Sequence, residues 1–420
     1  MSSYQVQLNN FDGLFDQSNI TVAYQNLQES RHDRRLNNSN LNNRIEDVNI
    51  FSLNADFKKV ISKNVLGYGF ELIKNDIRSS AYSLNIGNGS NSALDTRYPD
   101  GGSKVFSAAA FVSHHFNISE KWIVSEGLRL NYVGLNSKFK NKAFFPFPYN
   151  SITQKNIALN GNLSLVFKPT ANWKLSALGS SGFRAPNVDD LSKVFESSPG
   201  SIIVPNPNLK PEYTYNAELG LEKNFHNKAT INLTGFYTWY RNAITTQPFL
   251  FNQQSRILYD GELSDVTANV NAQKAFLYGF SGDLSFIPAK NIVAKANATY
   301  TFARITSVNP QQPLDHIPPI MGLSSIEYTY KKYYAEFFVQ YHNRKKLEDY
   351  TPNGEDNLPQ ATPTGMPAWY ALNIRSGFEL SKNFKLQMAL ENILDRNYRV
   401  FASGISAPGR NFIVSLRGSF

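Results

Sequence analysis

The chain has 420 residues, of which 41% are hydrophobic and 13% aromatic, with a formal net charge of +9 and no cysteine. The missing cysteine excludes a disulfide framework and a thiolate site. No window approaches the length of apolar sequence that a transmembrane helix needs, which leaves several soluble domains or one large all-β domain. A membrane barrel remains open, because its strands need only every second residue to be apolar.

Neither a signal peptide nor a nucleic-acid-binding patch is predicted from the start of the chain and the distribution of its charges. The segment "MSSYQVQLNNFDG" contains no apolar stretch and is not expected to be a signal peptide. If the protein is exported, we therefore expect the sequence to be incomplete at its start. The positive charge is scattered, and the run "RHDRR" at 31–35 is expected to be a solvated loop rather than a nucleic-acid patch.

Apolar and polar residues alternate along most of the chain, and a period of two is typical of a strand with one apolar face. Segments with clear alternation lie, in chain order, near 122–130, 157–168, 213–222, 230–239, 292–302, 384–391 and 411–420. Glu126 is an exception, because it shares the apolar face of its segment. That position predicts either a local slip of the strand or a place near the membrane interface.

The connections between these segments are of two kinds in strict rotation. Tight connections are predicted at 58–64, 117–121, 168–172, 224–228, 287–291, 330–332 and 380–383. Long segments rich in Asn, Gly, Pro and Ser lie near 30–44, 78–103, 136–155, 183–212, 241–265, 304–320, 343–367 and 394–409. The rotation predicts about sixteen strands in eight hairpins, with every long loop at one end.

This sorting of loops favours an outer-membrane β-barrel over a soluble β-sandwich or solenoid. Closure of a barrel would also remove the exposed strand edges that lead to aggregation. Barrels of this kind end on the periplasmic side with an aromatic residue, as Phe420 would. We therefore expect long loops outside the cell, the apolar face of 213–221 against lipid, and Asn216, Glu218 and Glu222 in a wet lumen.

Three motifs resemble the barrel region of TonB-dependent outer-membrane receptors. "GFRAPNVDDL" at 182–191 and "NPNLKPE" at 206–212 resemble the paired FRAP and NPNL boxes of that family. The ending from Ala389, "ALENILDRNYRVFASGISAPGRNFIVSLRGSF", resembles the terminal hairpin of the family, with its PGR and final aromatic residue. A weaker match is "KAFLYGFSGDLSF" at 274–286, where Ser281 stands at the position of a usual Glu.

The resemblance implies the C-terminal part of a larger transporter. Receptors of the family fill a 22-strand barrel with an N-terminal plug, so we expect residues 1–420 to be one partial barrel that lacks the plug. The partners implied are the outer-membrane lipid bilayer, the barrel-assembly machinery, an extracellular small-molecule chelate, and the TonB complex, which would act through a plug. We expect Phe412, Leu416 and Phe420 to form the C-terminal assembly signal.

The segment 183–212 is the best candidate for ligand contact. Asn187 is expected to cap a short helix whose apolar stripe is Val188, Leu191, Val194 and Phe195. Arg184 and Lys210 are candidate contacts for an anionic ligand. The alternative is that the two boxes brace the loop at the barrel rim. The full set of candidates is Phe183, Arg184, Pro186, Asn206, Asn208, Lys210 and Glu212.

Other side chains have weaker claims to function. Charged residues expected in the lumen are Arg129, Glu218, Glu222, Glu336, Lys385, Glu391 and Arg417. His32 and His316 are minor candidates for contact with a metal chelate. Aromatic residues at 144–149 and 247–251, together with Tyr350, could stack on a ligand or pack among the loops themselves.

No enzyme signature, resident metal or cofactor is predicted, because "GYG" at 67–69 and "GSSG" at 179–182 do not complete a known catalytic or nucleotide motif. The expected function is uptake of a nutrient chelate, most plausibly a ferric siderophore. Haem and cobalamin are less favoured; for haem, the reason is that residues 187–205 contain no histidine between the two boxes. The alternative is a plugless diffusion pore or a surface adhesin.

Overall fold

A computed structural model describes residues 1–11, 13–144, 146–192, 194–198, 200–259, 262–351 and 356–419. Within these residues the chain forms 22 β-strands, one short α-helix and two 3-10 helices. The helix α1 spans Val188–Ser192, and the 3-10 helices span Leu347–Asp349 and Leu358–Gln360. No described helix is both long and apolar enough to cross a membrane.

The first eleven strands are β1 Ser2–Asn9, β2 Gln17–Asp33, β3 Asn40–Ile61, β4 Asn64–Asn85, β5 Asn91–Ala93, β6 Ser103–Asn117, β7 Trp122–Lys138, β8 Ser151–Phe167, β9 Trp173–Arg184, β10 Phe195–Ser198 and β11 Ser201–Val204. The other eleven are β12 Glu212–Phe225, β13 Ala229–Pro248, β14 Arg256–Tyr259, β15 Glu262–Ala289, β16 Ile292–Ile305, β17 Gln312–Pro313, β18 Met321–Tyr330, β19 Tyr333–His342, β20 Trp369–Glu379, β21 Phe384–Glu391 and β22 Asn411–Gly418.

Seventeen of the 22 described strands build one continuous wall, once the five short strands β5, β10, β11, β14 and β17 are set aside. Each long strand pairs antiparallel with the next long strand in sequence. In the described part of the chain, β1 and β22 make no pairing with each other, so the wall is not closed. The prediction of an all-β, antiparallel, partial barrel is confirmed.

The rotation of tight and long connections is also confirmed, and every tight turn lies at the same end of the wall because neighbouring long strands run antiparallel. Two details of the prediction were wrong. Strand β1 adds a seventeenth long strand that the count of connections did not include. Arg31, His32 and Asp33 belong to β2 rather than to a loop, because the β2–β3 hairpin continues in register to Asp33 and Asn42.

The two faces of the wall differ as the alternation predicts. On β12, Tyr215, Ala217 and Leu219 are exposed, whereas Asn216 and Glu218 between them are half-buried. Leu219 is 70% exposed, and Ile157 and Phe280 on other strands are 69% and 63% exposed. A row of large apolar side chains this exposed needs a hydrocarbon partner rather than water.

Glu126 lies on the apolar face without any slip of the strand. The pairings of β7 with β6 and β8 run without a register shift through this residue. Glu126 is only four residues from the start of β7 at Trp122, so it lies close to the tight-turn rim. There its carboxylate contacts His114 at 2.9 Å, and the other imidazole nitrogen of His114 lies 2.8 Å from the Asn64 side chain.

Candidate functional site

The long loops fold onto one another into an apolar core above the strands. The residues of this core are almost fully buried, and they come from β7, β8, the loop between them, the 183–212 segment and the 249–268 region. They include Leu135, Phe147, Ile152, Val188, Leu191, Ile202, Val204, Leu209, Phe251 and Val266. The described residues of the 183–212 segment are therefore packed into this core rather than forming a free loop.

Helix α1 begins in that segment with the cap that the sequence predicts, but it ends at Ser192. Val194 and Phe195, which were expected on its apolar stripe, lie beyond the helix, and Phe195 begins β10 instead. Asn187 accepts the backbone N–H of Asp190 at 2.9 Å, and the Asp190 carboxylate accepts the backbone N–H of Asn187 at the same distance. This reciprocal cap satisfies two backbone donors that a helix N-terminus leaves free. Val188 and Leu191 are buried, whereas the side chain of Phe195 lies outside the described part.

Arg184 is held between two carboxylates. Its guanidinium donates to Asp190 at 2.6 Å and to Glu212 at the start of β12. Glu212 uses its other oxygen to accept the backbone N–H of Ile244 at 2.6 Å. Because the charge of Arg184 is already matched, the arginine has the contacts of a brace between the two boxes, and its role in binding an anionic ligand stays a prediction.

The second box is anchored to β15 by hydrogen bonds of Asn206 and Lys210. Asn206 is buried, accepts the N–H of Asn208 at 3.1 Å and donates to the carbonyl of Asn269 at 2.8 Å. The backbone N–H of Lys210 donates to the Asn271 side chain at 2.7 Å. The side chains of Asn208 and Lys210 are exposed, so of the ligand candidates in this box these two remain accessible.

The other candidates in the first box are also packed. Phe183 and Tyr213 have ring centroids 5.5 Å apart across β9 and β12. Pro186 is fully buried at the start of the helical turn. The two boxes thus meet in space, as the resemblance implies, and most of their side chains contact the protein itself.

The aromatic residues of two other loops pack among themselves. Phe147 lies 4.7 Å from Phe139 and 5.9 Å from Phe251, measured between ring centroids. Phe139 also meets the edge of Tyr149 at 5.4 Å, and burial raises the pKa of the Tyr149 phenol. Self-packing accounts for Phe147, Tyr149 and Phe251, whereas the Phe144 side chain is 43% exposed and its stacking on a ligand stays a prediction. Phe145 lies outside the described residues.

A second apolar core joins the last two long loops. Tyr350, Met366 and Phe401 are buried together, with the Tyr350 and Phe401 rings 5.5 Å apart. Lys345 lies against them, 4.8 Å from the Phe401 ring centroid, and donates to the carbonyl of Ile317 at 2.6 Å. Burial lowers the pKa of Lys345, an effect that the nearby Asp356 and Asp349 partly offset.

Beside this core is an open recess of about 240 Å³ that the sequence did not single out. Trp369 forms one wall, stacked on Tyr398 at 4.2 Å between ring centroids and on His342 at 5.1 Å. Arg399 forms another and donates to the carbonyl of Gln360 at 2.8 Å. The Trp369 indole N–H is buried without a partner in the described part. We call this the Trp369 recess.

The Trp369 recess can hold a flat, anionic group. Stacked rings offer a face to an aromatic ligand, and a guanidinium offers donors to an anion. The sequence marks some of the residues that line this recess, but not the recess itself. Arg399 and Tyr398 lie within the terminal motif, and Trp369 opens a strand just after Pro367, but nothing in the pattern shows that the two segments meet.

The residues predicted for the lumen lie on the face opposite the exposed apolar rows. Arg129 donates to Glu71 at 2.9 Å, and Glu222 lies 3.7 Å from Lys174. Glu336 is buried, accepts the Tyr334 hydroxyl at 2.5 Å and pairs with Arg375. That this face is wet in the assembled protein stays a prediction.

The remaining lumen candidates are placed by strand register. Glu218 is opposite Leu178 and Phe236, Lys385 is opposite Glu379 and Arg417, and Glu391 is opposite Asn411. On the other face, Phe412 pairs with Leu390 and Leu416 with Leu386, and both β22 side chains are exposed. Phe420 lies outside the described residues.

The described histidines are dispersed. The described residues contain no group of three or more His, Asp or Glu side chains close enough to hold a metal ion. His32 lies on β2 beside Asn43, with 2.7 Å between the ring nitrogen and the amide oxygen. His316 lies in a loop and donates its backbone N–H to Asp356 at 2.8 Å.

The fold and the loop end together define an outer-membrane β-barrel of the receptor type. Residues 1–393 match the family described as TonB dependent receptor-like, beta-barrel, and the chain belongs to that family. Its members are transporters and receptors and are not enzymes.

Curated relatives are distant and longer. The chain is 24% identical over 269 residues to the probable hemoglobin and hemoglobin-haptoglobin-binding protein 4 of Haemophilus influenzae, which covers 58% of this chain and 25% of that protein. It is 22% identical over 309 residues to the iron-regulated outer membrane virulence protein of Vibrio cholerae, covering 72% and 44% respectively. The chain thus spans less than half the length of these relatives.

Solved structures share the fold. The copper transporter OprC superposes with a TM-score of 0.81 at 16% identity, over 100% of this chain and 65% of that one. The ferric enterobactin receptor PfeA superposes with a TM-score of 0.72 at 17% identity, over 100% and 62%. At this level of identity the likeness extends to the fold and not to the ligand.

Proposed function

We propose that this barrel belongs to an energy-coupled transporter that imports a nutrient chelate, with a ferric siderophore as its substrate. The observation that carries the proposal is the Trp369 recess at the long-loop end. Its stacked rings and the half-buried Arg399 suit a ligand that is both aromatic and anionic, as iron chelates with phenolic groups are.

The proposed orientation places the long loops outside the cell and the C-terminus in the periplasm. Phe412, Leu416 and Phe420 would then form the signal read by the barrel-assembly machinery. The apolar face would contact the lipid bilayer, and TonB would act on a plug inside the barrel. The barrel itself, residues 1–420, is proposed to be a single domain.

Names of relatives alone leave the substrate open, because they include a hemoglobin-binding protein, a copper transporter and a ferric enterobactin receptor. Two features favour the siderophore. The segment 187–205 has no histidine that could ligate haem iron. The Trp369 recess is lined by rings and a guanidinium, which suits a metal held inside a chelate.

Binding of ⁵⁵Fe-labelled ferric enterobactin to the full chain in detergent, by equilibrium dialysis, tests the proposal. Haemin, cyanocobalamin and Cu²⁺ serve as competitors. We expect saturable binding of the ferric chelate, weakened about fivefold to tenfold in Trp369→Ala, since one lost stacking contact is worth roughly 1–1.5 kcal/mol. Arg399→Ala should weaken binding as well, because it removes positive charge without removing a ring.

Trp239→Ala is the matched control, because Trp239 lies on the exposed apolar face and is 49% exposed. It should bind like the unmodified chain. Tighter binding of haemin or cobalamin, or full binding by both Trp369→Ala and Arg399→Ala, would contradict the siderophore proposal. Steady conductance in planar bilayers without any chelate binding would replace it with the diffusion pore.

A further inference from the structure

Exposed lysines follow the tight-turn rim of the wall. Seven tight connections join neighbouring long strands between β3 and β21, and each of them contains at least one lysine. The structure describes all seven connections, and Glu120 is the single acidic residue in them. We call these lysines the lysine row; its members are Lys63, Lys121, Lys168, Lys228, Lys290, Lys331, Lys332 and Lys382.

The charge of the lysine row is not matched by the protein itself. Among the described residues, none of its eight ammonium groups forms an ion pair with a carboxylate. Strand lysines at the same rim differ, because Lys59 binds Asp16 at 2.7 Å and Lys174 lies 3.7 Å from Glu222. The row is therefore a band of net positive charge along one rim of the wall.

Aromatic side chains on the apolar face lie directly beside the row. Trp122 and Phe167 are opposite each other on β7 and β8, and their ring centroids are 4.2 Å apart. Lys121 precedes Trp122, Lys168 follows Phe167, and the backbone N–H of Lys168 donates to the Lys121 carbonyl at 2.8 Å. Two lysines thus border one stacked pair of rings.

Other ammonium groups of this rim contact rings directly. Nζ of Lys331 lies 5.3 Å from the centroid of the Tyr330 ring. Nζ of Lys223, a strand lysine beside the row, lies 4.2 Å from the Trp173 ring centroid. Tyr330 is 49% and Trp173 38% exposed. Amphipathic rings of this kind occupy the membrane–water interface, so these contacts place the ammonium groups at the same level.

The depth of the row fits the headgroup layer of a bilayer. Lys121, Lys168 and Lys331 are each adjacent in sequence to a ring of the apolar face, and one residue of a strand advances the chain by about 3.3 Å. A headgroup layer is roughly 5–8 Å thick on each side of the hydrocarbon core. The tight turns therefore end within that layer rather than beyond it.

The distribution of the lysines also favours lipid over a soluble partner. The row follows the rim from the β3–β4 connection to the β20–β21 connection, and a soluble protein would contact only one arc of it. A single exposed lysine needs no ligand, because its ammonium group extends readily to water. Solvation alone does not require a lysine in every one of seven connections with one acidic residue among them.

We propose that the lysine row binds the phosphates of an anionic glycerophospholipid, phosphatidylglycerol, in the leaflet at the tight-turn rim. Ammonium groups form charge-assisted hydrogen bonds with phosphate oxygens. A zwitterionic phospholipid offers the same phosphate together with a cation of its own, so its net attraction to the row is smaller. The inference rests on the proposed contact of the apolar face with lipid and does not depend on the imported substrate.

Quenching of tryptophan fluorescence by brominated lipids tests this preference. Trp122 and Trp173 lie at the tight-turn rim, and Trp239→Phe with Trp369→Phe removes the other two tryptophans of the chain. The full chain with these two changes is reconstituted in phosphatidylcholine vesicles that contain brominated phosphatidylglycerol or brominated phosphatidylcholine. We expect phosphatidylglycerol to bind beside the two reporters about threefold to fivefold more tightly. In 1 M NaCl, where the Debye length is about 3 Å, the preference should largely disappear.

Two triple variants separate charge from side-chain shape. K121Q/K168Q/K228Q removes three lysines of the row near the reporters and should bring the preference close to one. K121R/K168R/K228R keeps the three charges and should keep the preference. Loss of the preference in the arginine variant as well would mean that the substitutions act by disturbing the turns, and it would overturn the proposal.

The matched control is K104Q/K138Q/K140Q, which removes the same charge from exposed lysines at the long-loop end. It should keep the preference at Trp122 and Trp173. Equal loss in the two glutamine variants, or equal binding of the two lipids by the chain with its lysines intact, would overturn the proposal.

Two further outcomes would also overturn it. Binding of the chain to peptidoglycan sacculi through Lys121, Lys168 and Lys228, without a lipid preference, would assign the row to an acidic polymer. No quenching by either brominated lipid would contradict the contact of the apolar face with lipid. Chelate binding is measured separately by dialysis, with Trp369 present, so its failure would leave the lipid result unaffected.

Discussion

The guanidinium of Arg184 and the carboxylate of Glu212 bind each other across β9 and β12, where the two residues are also register partners. Arg184 is the last residue of β9 and Glu212 is the first residue of β12, and residues 185–211 lie between them in sequence. The pair closes the base of that segment. Its position explains why two boxes separated in sequence act as one structural unit.

A double-mutant cycle on this pair tests the bracing role. Arg184→Ala and Glu212→Ala should each destabilise the folded barrel by about 1–3 kcal/mol, between the values for exposed and buried pairs, because Arg184 is 45% exposed. The double variant should cost less than the sum, since each single change strands its partner. Guanidinium unfolding in micelles measures all three.

One control variant sharpens that cycle. Arg256→Ala removes an arginine whose pair with Asp265 is about 60% exposed on both sides, and it should change the free energy of unfolding very little. Coupling near zero between Arg184 and Glu212 would contradict the brace and would favour a direct ligand role for the arginine.

Gly279 should be intolerant of a side chain. A Cβ at this position would lie 2.3 Å from the carbonyl oxygen of Tyr300 and 2.6 Å from the ring of Phe236. We expect Gly279→Ala to destabilise the barrel by about 1–3 kcal/mol through overpacking. Gly179→Ala is the matched strand control, because a Cβ there meets nothing within 4 Å. Similar unfolding free energies for the two variants would show that the close packing around Gly279 is absent.

The lowered pKa of Lys345 makes the stability of the folded chain depend on pH. Burial lowers its pKa in the folded protein below the ordinary value of 10.5. Between the lowered and the ordinary value the unfolded chain binds more protons, so stability rises with pH in that window. Lys345→Met should lose this rise. Between pH 7 and 10 the melting temperature of the unmodified chain should therefore rise relative to that of the variant; parallel curves would contradict the buried ammonium.

A charge on the apolar face should be costly. Leu219 lies near the middle of β12 and is 70% exposed, and Leu219→Arg is expected to cost about 2–4 kcal/mol in a bilayer. Glu218→Arg places the same group on the opposite face one residue away. It should cost clearly less, and equal costs for the two variants would mean that the faces are not distinguished by lipid and water.

The sequence predicted the wall well because each strand repeats the same simple rule. Alternation at Tyr215, Ala217 and Leu219 reports directly on the two faces, and turn residues mark each tight connection. Strand β1, "SSYQVQLN", was missed although Tyr4, Val6 and Leu8 alternate with Gln5 and Gln7, because the predicted strand count rested on the connections, which begin with the long segment near 30–44. The ends of β2 and β13 were missed because polar strands that extend beyond the membrane no longer need an apolar face.

The loop end was predicted less completely. The cap at Asn187 follows from local chemistry, so helix α1 was found. The Trp369 recess depends on contacts between Trp369 and Tyr398, which are far apart in sequence, and no periodic pattern records such contacts. In the same way, the sequence predicts Arg184 as a free cation, and only the folded chain shows the carboxylates of Asp190 and Glu212 beside it.

Alternate residues of each strand are expected to face hydrocarbon and water. Because the chain contains no cysteine, this arrangement can be measured directly. Single cysteines placed at positions 214 to 221 can carry a spin label in reconstituted bilayers. Labels at 215, 217, 219 and 221 should be relaxed mainly by oxygen dissolved in lipid, and those at 214, 216, 218 and 220 by a water-soluble nickel chelate. Uniform or inverted accessibility along this strand would contradict the account.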